Sequence, residues 1–232
     1  MKVVVLVATI GDKMEVEEWI TNHEKYFDNP DVNFIVNNSN QDVIEVWDKL
    51  QNIDVYHTPR SGIIDAFNFL VSKISPNNDY FIHAGIDDIM INICDNLYQT
   101  DLVFIPVIDA KRSGAKKRIK VRRPFSYFLN NRPYAPHHQG CLYATRLAES
   151  KFYADFGICF DAHKTLKIIE SGASFIVDNE TSPMFEMWEG GLSSNVEAVL
   201  DSNKRLTSDL NWKPSWRQEF VNKYVNKLRY GI

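Results

Sequence analysis

The sequence predicts an α/β protein: a mostly parallel sheet flanked by helices, carried in one domain that ends in a C-terminal helix. Three observations lead there. Short apolar runs alternate with helix-period segments through the first hundred residues, which is the pattern of successive βαβ units. The 232 residues are 44% hydrophobic and 24% charged, enough chain and enough apolar content for one sizeable core without a disulfide or metal staple. An acidic pair, Asp87-Asp88, directly follows one of the apolar runs, where open parallel sheets gather ligands.

The elements follow in order. Residues 3 to 8 (VVVLVA) form an unbroken apolar run of strand length. Residues 15 to 27 place Val16, Trp19, Ile20, His23 and Phe27 at helical spacing, with acids near the start. Residues 32 to 36 read as a second strand, and Ile44, Val46, Trp47 and Leu50 as a short helix. Residues 53 to 57 form a third strand. Residues 62 to 74 give the clearest helix, with Ile63, Ala66, Phe67, Leu70, Val71 and Ile74 on one face, stopped by Ser75-Pro76. Residues 79 to 84 make a strand that runs into Gly85-Ile86-Asp87-Asp88, and residues 102 to 108 make another.

The second half is less regular. Residues 111 to 123 read as a solvated basic loop, and residues 127 to 143, with Pro133, Pro136, His137 and His138, as a polar-aromatic one. A helix through Leu166, Ile168 and Ile169 ends at Gly172, and residues 174 to 177 form a late strand. From Ser215 onward Trp216, Phe220, Tyr224 and Leu228 recur every fourth residue, an amphipathic helix flanked by Arg217, Lys223, Lys227 and Arg229.

Composition excludes several classes. No apolar stretch approaches the roughly 20 residues that span a bilayer, and the first strand meets Thr9-Ile10-Gly11-Asp12 without a signal-peptide cleavage pattern. Cys94, Cys141 and Cys159 are odd in number and lack C-x-x-C spacing, so they read as buried thiols of a reducing compartment. The net charge of -4 is uneven. Residues 111 to 123 hold eight basic residues and no acid, which leaves 18 basic against 30 acidic elsewhere. That sign suits an anionic ligand, a lipid phosphate or a membrane surface. Nucleic acid is not expected, because no aromatic residues interleave the run.

Asp87 and Asp88 are the first chemical candidates. Hard divalent cations take carboxylate oxygens together with substrate phosphates, and two neighbouring acids on an extended chain point opposite ways. Asp161 heads a helix, where it reads either as an N-cap or as a functional carboxylate.

The motif set resembles family 2 glycosyltransferases, in particular the branch that builds bacterial polysaccharides. Gly62-Ile63-Ile64-Asp65-Ala66-Phe67-Asn68, then Asp79-Tyr80-Phe81-Ile82 and Asp87-Asp88, is similar to that family's G-I-Y-D-A-M-N, G-D-Y and D-D core. Val36-Asn37-Asn38-Ser39-Asn40-Gln41-Asp42 stands in the place of V-D-D-G-S-T-D, His138-Gln139-Gly140 in that of an H-Q element, and Phe160-Asp161-Ala162-His163 in that of D-Y-D-L. Trp188-Glu189-Gly190-Gly191-Leu192-Ser193 resembles the closing F-x-x-G-G-x-S.

The resemblance spans residues 3 to 194 and implies a GT-A (Rossmann-like) fold. It implies a nucleotide-sugar half over residues 1 to 108, an acceptor half over 109 to 200 and a helical tail over 201 to 232. It further implies Mn²⁺ or Mg²⁺ held by Asp88 with Asp87, and a nucleotide-diphosphate sugar donor, UDP being the first choice. Thr9, Gly11, Asn37, Asn38, Asp65, Asn68 and Asp87 would meet the donor, with Asp12 beside the nucleotide base. His137, His138, Gln139, Trp188 and Glu189 would face the acceptor, a glycan or lipid-linked chain. Asp161 would be the general base of an inverting transfer.

Two departures stand out. Asn37-Asn38 replaces charged aspartates, and His163 replaces the second acid beside Asp161. The location implied is cytoplasmic, with peripheral contact at the inner face of the membrane. The competing readings are a sugar nucleotidyltransferase, which needs a glycine-rich basic loop after the first strand, and a non-catalytic nucleotide-sugar-binding module.

Overall fold

The computed structural model describes residues 1–111, 113–128, 132–150, 154–188 and 196–213. They fall into two compact units, one of Met1–Val121, His137–Lys151 and Ala173–Glu189, the other of Arg122–Pro136, Phe152–Gly172 and Gly190–Ile232.

The first unit contains β1 (Val3–Thr9), α1 (Lys13–His23), β2 (Val32–Asn38), α2 (Ile44–Trp47), β3 (Asp54–His57), α3 (Ile63–Val71) and β4 (Tyr80–Ala84). It continues with β5 (Ile89–Met90), β6 (Leu102–Phe104), β7 (Val107–Ala110), β8 (Lys116–Ile119), β11 (Cys141–Ala144), β12 (Phe175–Val177) and β13 (Phe185–Trp188). Seven strands form the main sheet in the order β12-β6-β11-β4-β1-β2-β3. Every pairing is parallel except those of β11, which runs antiparallel to β4 and β6. This is the mostly parallel α/β sheet that the alternating pattern predicts.

Alternation along β1 decides the layers. Val3, Val5 and Val7 face a cluster with Val16, Trp19, Phe34 and Trp47, so α1 and α2 cover one face. α3 packs on the other, where Phe67 meets the His83 ring edge-on at 4.7 Å. Successive right-handed crossovers produce this double winding when the chain reverses direction across the sheet. The reversal lies between β1 and β4, because β2 and β3 extend one way from β1 while β4 pairs on its other side. All three cysteines are buried, as expected.

α1 begins with a capping box. Asp12 accepts from Met14 N and Glu15 N, while Asp12 N donates to Glu15 Oε2. Near its end His23 is buried, its Nδ1 donating to Trp19 O at 2.7 Å and its Nε2 accepting from Met90 N at 2.9 Å. This neutral imidazole ties α1 to β5, and burial holds its pKa down to about 4. The unfolded chain therefore binds the extra proton between pH 6.5 and 4. Stability from this group is complete above pH 6.5 and is lost as pH falls through 4, a difference of about 3 kcal/mol. Urea unfolding at a series of pH values is expected to show that slope, and His23→Gln to flatten it.

Three of the expected elements are corrected. The strand expected over residues 102 to 108 divides at Pro106, whose missing N–H interrupts the ladder, into β6 in the main sheet and β7 in a second sheet of order β5-β13-β7-β8. The basic stretch is not merely a loop. Residues 116 to 119 form β8, an edge strand antiparallel to β7, and lysines on an edge discourage pairing with other chains. The loop expected over residues 127 to 143 holds the short strands β9 (Tyr127–Phe128) and β10 (Arg132–Pro133) and ends in β11, which is buried along its whole length.

β8 is fastened by its own cations. Lys116 Nζ lies 2.7 Å from Glu186 Oε2, a carboxylate only 4% exposed. Arg118 donates to Asn179 O and Thr181 O. Asp178 organises that loop by accepting from Thr181, Glu180 and Tyr98, and these bonds hold its carboxyl down at about 2 despite burial.

The second unit contains β9, β10, α4 (Phe160–Glu170) and α5 (Val196–Asp209). Its core is Ala135, Cys159, Ala162, Leu166, Leu206 and Leu210. α5 is a 14-residue helix that the expected elements do not include, although Val196, Val199, Leu200 and Leu206 fall near helical spacing. The amphipathic helix expected from Ser215 lies outside the described residues, as does Glu189. No helix among the described residues is long and apolar enough to cross a membrane.

Candidate active site

The register brings the carboxyl ends of four parallel strands together. Thr9 pairs with Asn38, Asn38 with His57, and Val7 with Ala84. The loops leaving these strands form one rim beside the reversal between β1 and β4, where a ligand fits an open α/β sheet.

Hydrogen bonds stitch the rim. Thr9 Oγ1 accepts from Gly11 N at 2.8 Å, and Thr9 O accepts from Ser39 N at 3.0 Å. Asn37 and Asn38 are fully buried. Asn37 Nδ2 donates to Thr58 O and Ser39 Oγ. Asn38 Nδ2 donates to Asn40 O and His57 Nδ1, and His57 Nε2 donates to Asp48 Oδ1. Asn40 Nδ2 then reaches Gly11 O at 2.9 Å. Asn37 and Asn38 therefore tie the loop after β2 to β3 and the residue that follows it, while Ser39 and Asn40 tie that loop to the end of β1 and the loop after it. An aspartate offers no N–H for these bonds.

Arg60 is a site residue that sequence reasoning missed. It packs its guanidinium 3.8 Å from the Phe69 ring centroid and donates from Nε to Asn37 Oδ1 at 3.4 Å. Ile10, 82% exposed, stands at the tip of the loop after β1. On α3, Asp65 accepts from Ser61 N at 3.3 Å, and Asn68 lies one turn further along, both half-buried.

The acidic pair sits in a turn after β4, not on extended chain. The two residues still have opposite environments: Asp87 is exposed and Asp88 is 3% exposed. Asp88 Oδ2 accepts from Gly85 N at 2.6 Å, and both its oxygens accept from Gln139 Nε2 at 3.1 Å. Burial pushes its carboxyl up to about 6, partly offset by nearby His138. A Cβ at Gly85 would come 2.5 Å from Asp87 Oδ1, so a side chain there would push the exposed Asp87 carboxylate aside.

Gln139 reaches Asp88 because of its neighbour. Gly140 lies against β6 and β7, accepting from Ile105 N at 2.9 Å, and a Cβ would come 2.4 Å from Ile105 O. Gly140→Ala is expected to cost about 1–3 kcal/mol through this overlap, read as a lowered midpoint of thermal unfolding. His137 is exposed and His138 half-buried in the same turn. Trp188 is 40% exposed on β13.

Asp88 suits a hard divalent cation. It is a carboxylate met by the Gly85 and Gln139 N–H groups, and burial, which raises its pKa, strengthens its attraction for a cation that can reach it. Among the described residues no three His, Cys, Asp or Glu side chains converge on one point. Ligand phosphate oxygens and water would have to complete the coordination, as is usual for Mg²⁺.

In the second unit, Cys159 occupies the N-cap of α4 and Asp161 is the helix's second residue, half-buried in the first turn. Negative charge is favoured there by the helix dipole. His163 stacks on Phe156 at 3.5 Å, and its Nε2 donates to Asp209 Oδ2 at 2.8 Å, linking α4 to α5. Beside it Lys164 is 1% exposed, and burial brings its ammonium down to about 7.

No protein-family model and no curated protein matches the chain. Among solved structures it is similar to the inositol-1-phosphate CTP transferase from T. maritima, at 10% identity and a TM-score of 0.48, over 89% of this chain and 96% of that one. It is also similar to a Drosophila beta-1,4-galactosyltransferase 7 mutant complexed with manganese, UDP-Gal and xylobiose, at 12% identity and a TM-score of 0.46, over 84% and 74%.

Proposed function

We propose that the protein is a cation-dependent glycosyltransferase that moves a sugar from a nucleotide-diphosphate donor to a surface glycan or a lipid-linked acceptor. The observation that carries this reading is Asp88: a buried carboxylate in the turn that leaves the carboxyl end of a central parallel strand, beside the sheet's reversal point.

Asp88 would hold the cation, with Asp87 beside it. A bound Mn²⁺ or Mg²⁺ supplies positive charge to the diphosphate as it departs. The stitched rim of Thr9, Gly11, Asn37 and Asn38 would seat the nucleoside, with Asp65 and Asn68 toward the sugar. Asp161 would accept the acceptor hydroxyl's proton as that oxygen attacks the anomeric carbon. His137, His138, Trp188 and Glu189 take the acceptor side in this reading. The exposed cations of residues 111 to 123 suit a lipid phosphate at the cytoplasmic face of a membrane.

The nucleotidyltransferase reading is less favoured by the loop after β1, which has one glycine, no cation before Lys13 and an aspartate engaged in capping. The test is a screen of UDP-, GDP- and dTDP-sugars with Mn²⁺. Release of nucleoside diphosphate from one donor class supports the proposal. Pyrophosphate release from a nucleoside triphosphate and a sugar phosphate would replace it with the competing activity.

A further inference from the structure

Gln139 Nε2 lies 3.1 Å from both Oδ1 and Oδ2 of Asp88. Equal distances put the amide nitrogen near the bisector of the carboxylate, the direction from which a cation is chelated by both oxygens. Gly85 N holds Oδ2 separately, at 2.6 Å. The amide and a chelated cation therefore compete for the same side of one carboxylate. The Gln139 backbone has little freedom, since Gly140 is wedged against Ile105 O, but its side chain is only half-buried and has rotamers to move through.

We infer that Gln139 is a placeholder for the cation. Its amide lends partial positive charge to a carboxylate that burial would otherwise leave poorly satisfied. When metal and nucleotide bind, the Gln139 side chain gives up both bonds and rotates away, so part of the binding energy is spent on displacing it. This inference rests on the proposal that Asp88 ligates the cation. It adds a positioning residue that sets cation affinity without contacting the reacting atoms.

The experiment is calorimetric titration of Mn²⁺ into the full chain with saturating UDP, for wild type, Gln139→Ala and Asp88→Asn. A second readout on the wild type follows the Gln139 side-chain amide by ¹⁵N NMR as Mg²⁺ and UDP are added. Gln139→Ala is expected to bind Mn²⁺ about tenfold more tightly, since one competing charge-assisted interaction is gone. The wild-type amide resonance is expected to leave its hydrogen-bonded position as the site fills. Unchanged or weaker binding by Gln139→Ala, with Asp88→Asn inactive toward Mn²⁺, overturns the placeholder role and leaves the metal site standing. A static amide resonance in a saturated wild type overturns it even if the alanine variant does not fold. Undiminished binding by Asp88→Asn removes the metal site itself, and the placeholder with it.

Discussion

Asp88→Asn is expected to yield a more stable protein that has lost its function. In the fold the Asp88 carboxyl rises from an ordinary 3.8 to about 6, so between these values the native state binds more protons than the unfolded chain. Stability then falls as pH rises through that window. By neutral pH the ionised group costs up to about 3 kcal/mol relative to a neutral one. The substitution removes that charge and keeps the shape, and a flip of the Gln139 amide lets its oxygen accept where its nitrogen donated. Calorimetric scans without metal at pH 7.5 should show an unfolding midpoint higher by about 2–6 °C, with the gap closing at about pH 3.5, where the carboxyl is protonated in the folded and the unfolded chain alike. Transfer activity should fall by at least about a thousandfold, because no carboxylate remains to hold charge opposite the departing diphosphate. A variant less stable than wild type at both pH values would mean that Asp88 is an ordinary structural carboxylate.

Asp161→Asn should separate the two halves of the reaction. The N-cap of α4 is Cys159, so Asp161 is not the residue that starts the helix, and losing its charge from the first turn costs only about 0.3–1 kcal/mol. The variant should fold, bind UDP with Mn²⁺ as wild type does, and transfer sugar about 100-fold to 10,000-fold more slowly, the usual span for removing a general base. The measurement is transfer rate beside UDP affinity in one preparation. Near-normal transfer by a folded variant would take the base away from Asp161. Equal losses of affinity and rate would make it a donor-binding or structural residue.

The first half of the chain was legible because its signals are local. β1, β4 and α3 each carry an apolar pattern long enough to specify one period, and Asp87-Asp88 declares itself by following β4 directly. β11 was hidden because its four residues, Cys141–Ala144, follow a polar-aromatic stretch, and its strand character comes from β4 and β6 on either side. The basic stretch looked like loop because what makes it a strand is non-local: Lys116 finds Glu186, and Arg118 finds the carbonyls of Asn179 and Thr181. Asn37 and Asn38 stand out in the sequence, whereas the bonds their side chains make to Ser39, Asn40, His57 and Thr58 have no signature in spacing. Gln139 was placed on the acceptor side, and its contact with Asp88, 51 residues earlier, has no signature in spacing. Arg60 is a lone cation in sequence and acquires meaning only from Phe69 and Asn37 around it.

The decisive measurement is equilibrium binding of UDP to the wild-type chain by calorimetry at neutral pH, once with Mn²⁺ and once with EDTA. An Asp88 that ligates the cation predicts saturable binding with Mn²⁺, at least about tenfold weaker binding in EDTA, and no Mn²⁺ dependence in Asp88→Asn. UDP that binds equally well in EDTA, or does not bind at all, would contradict it.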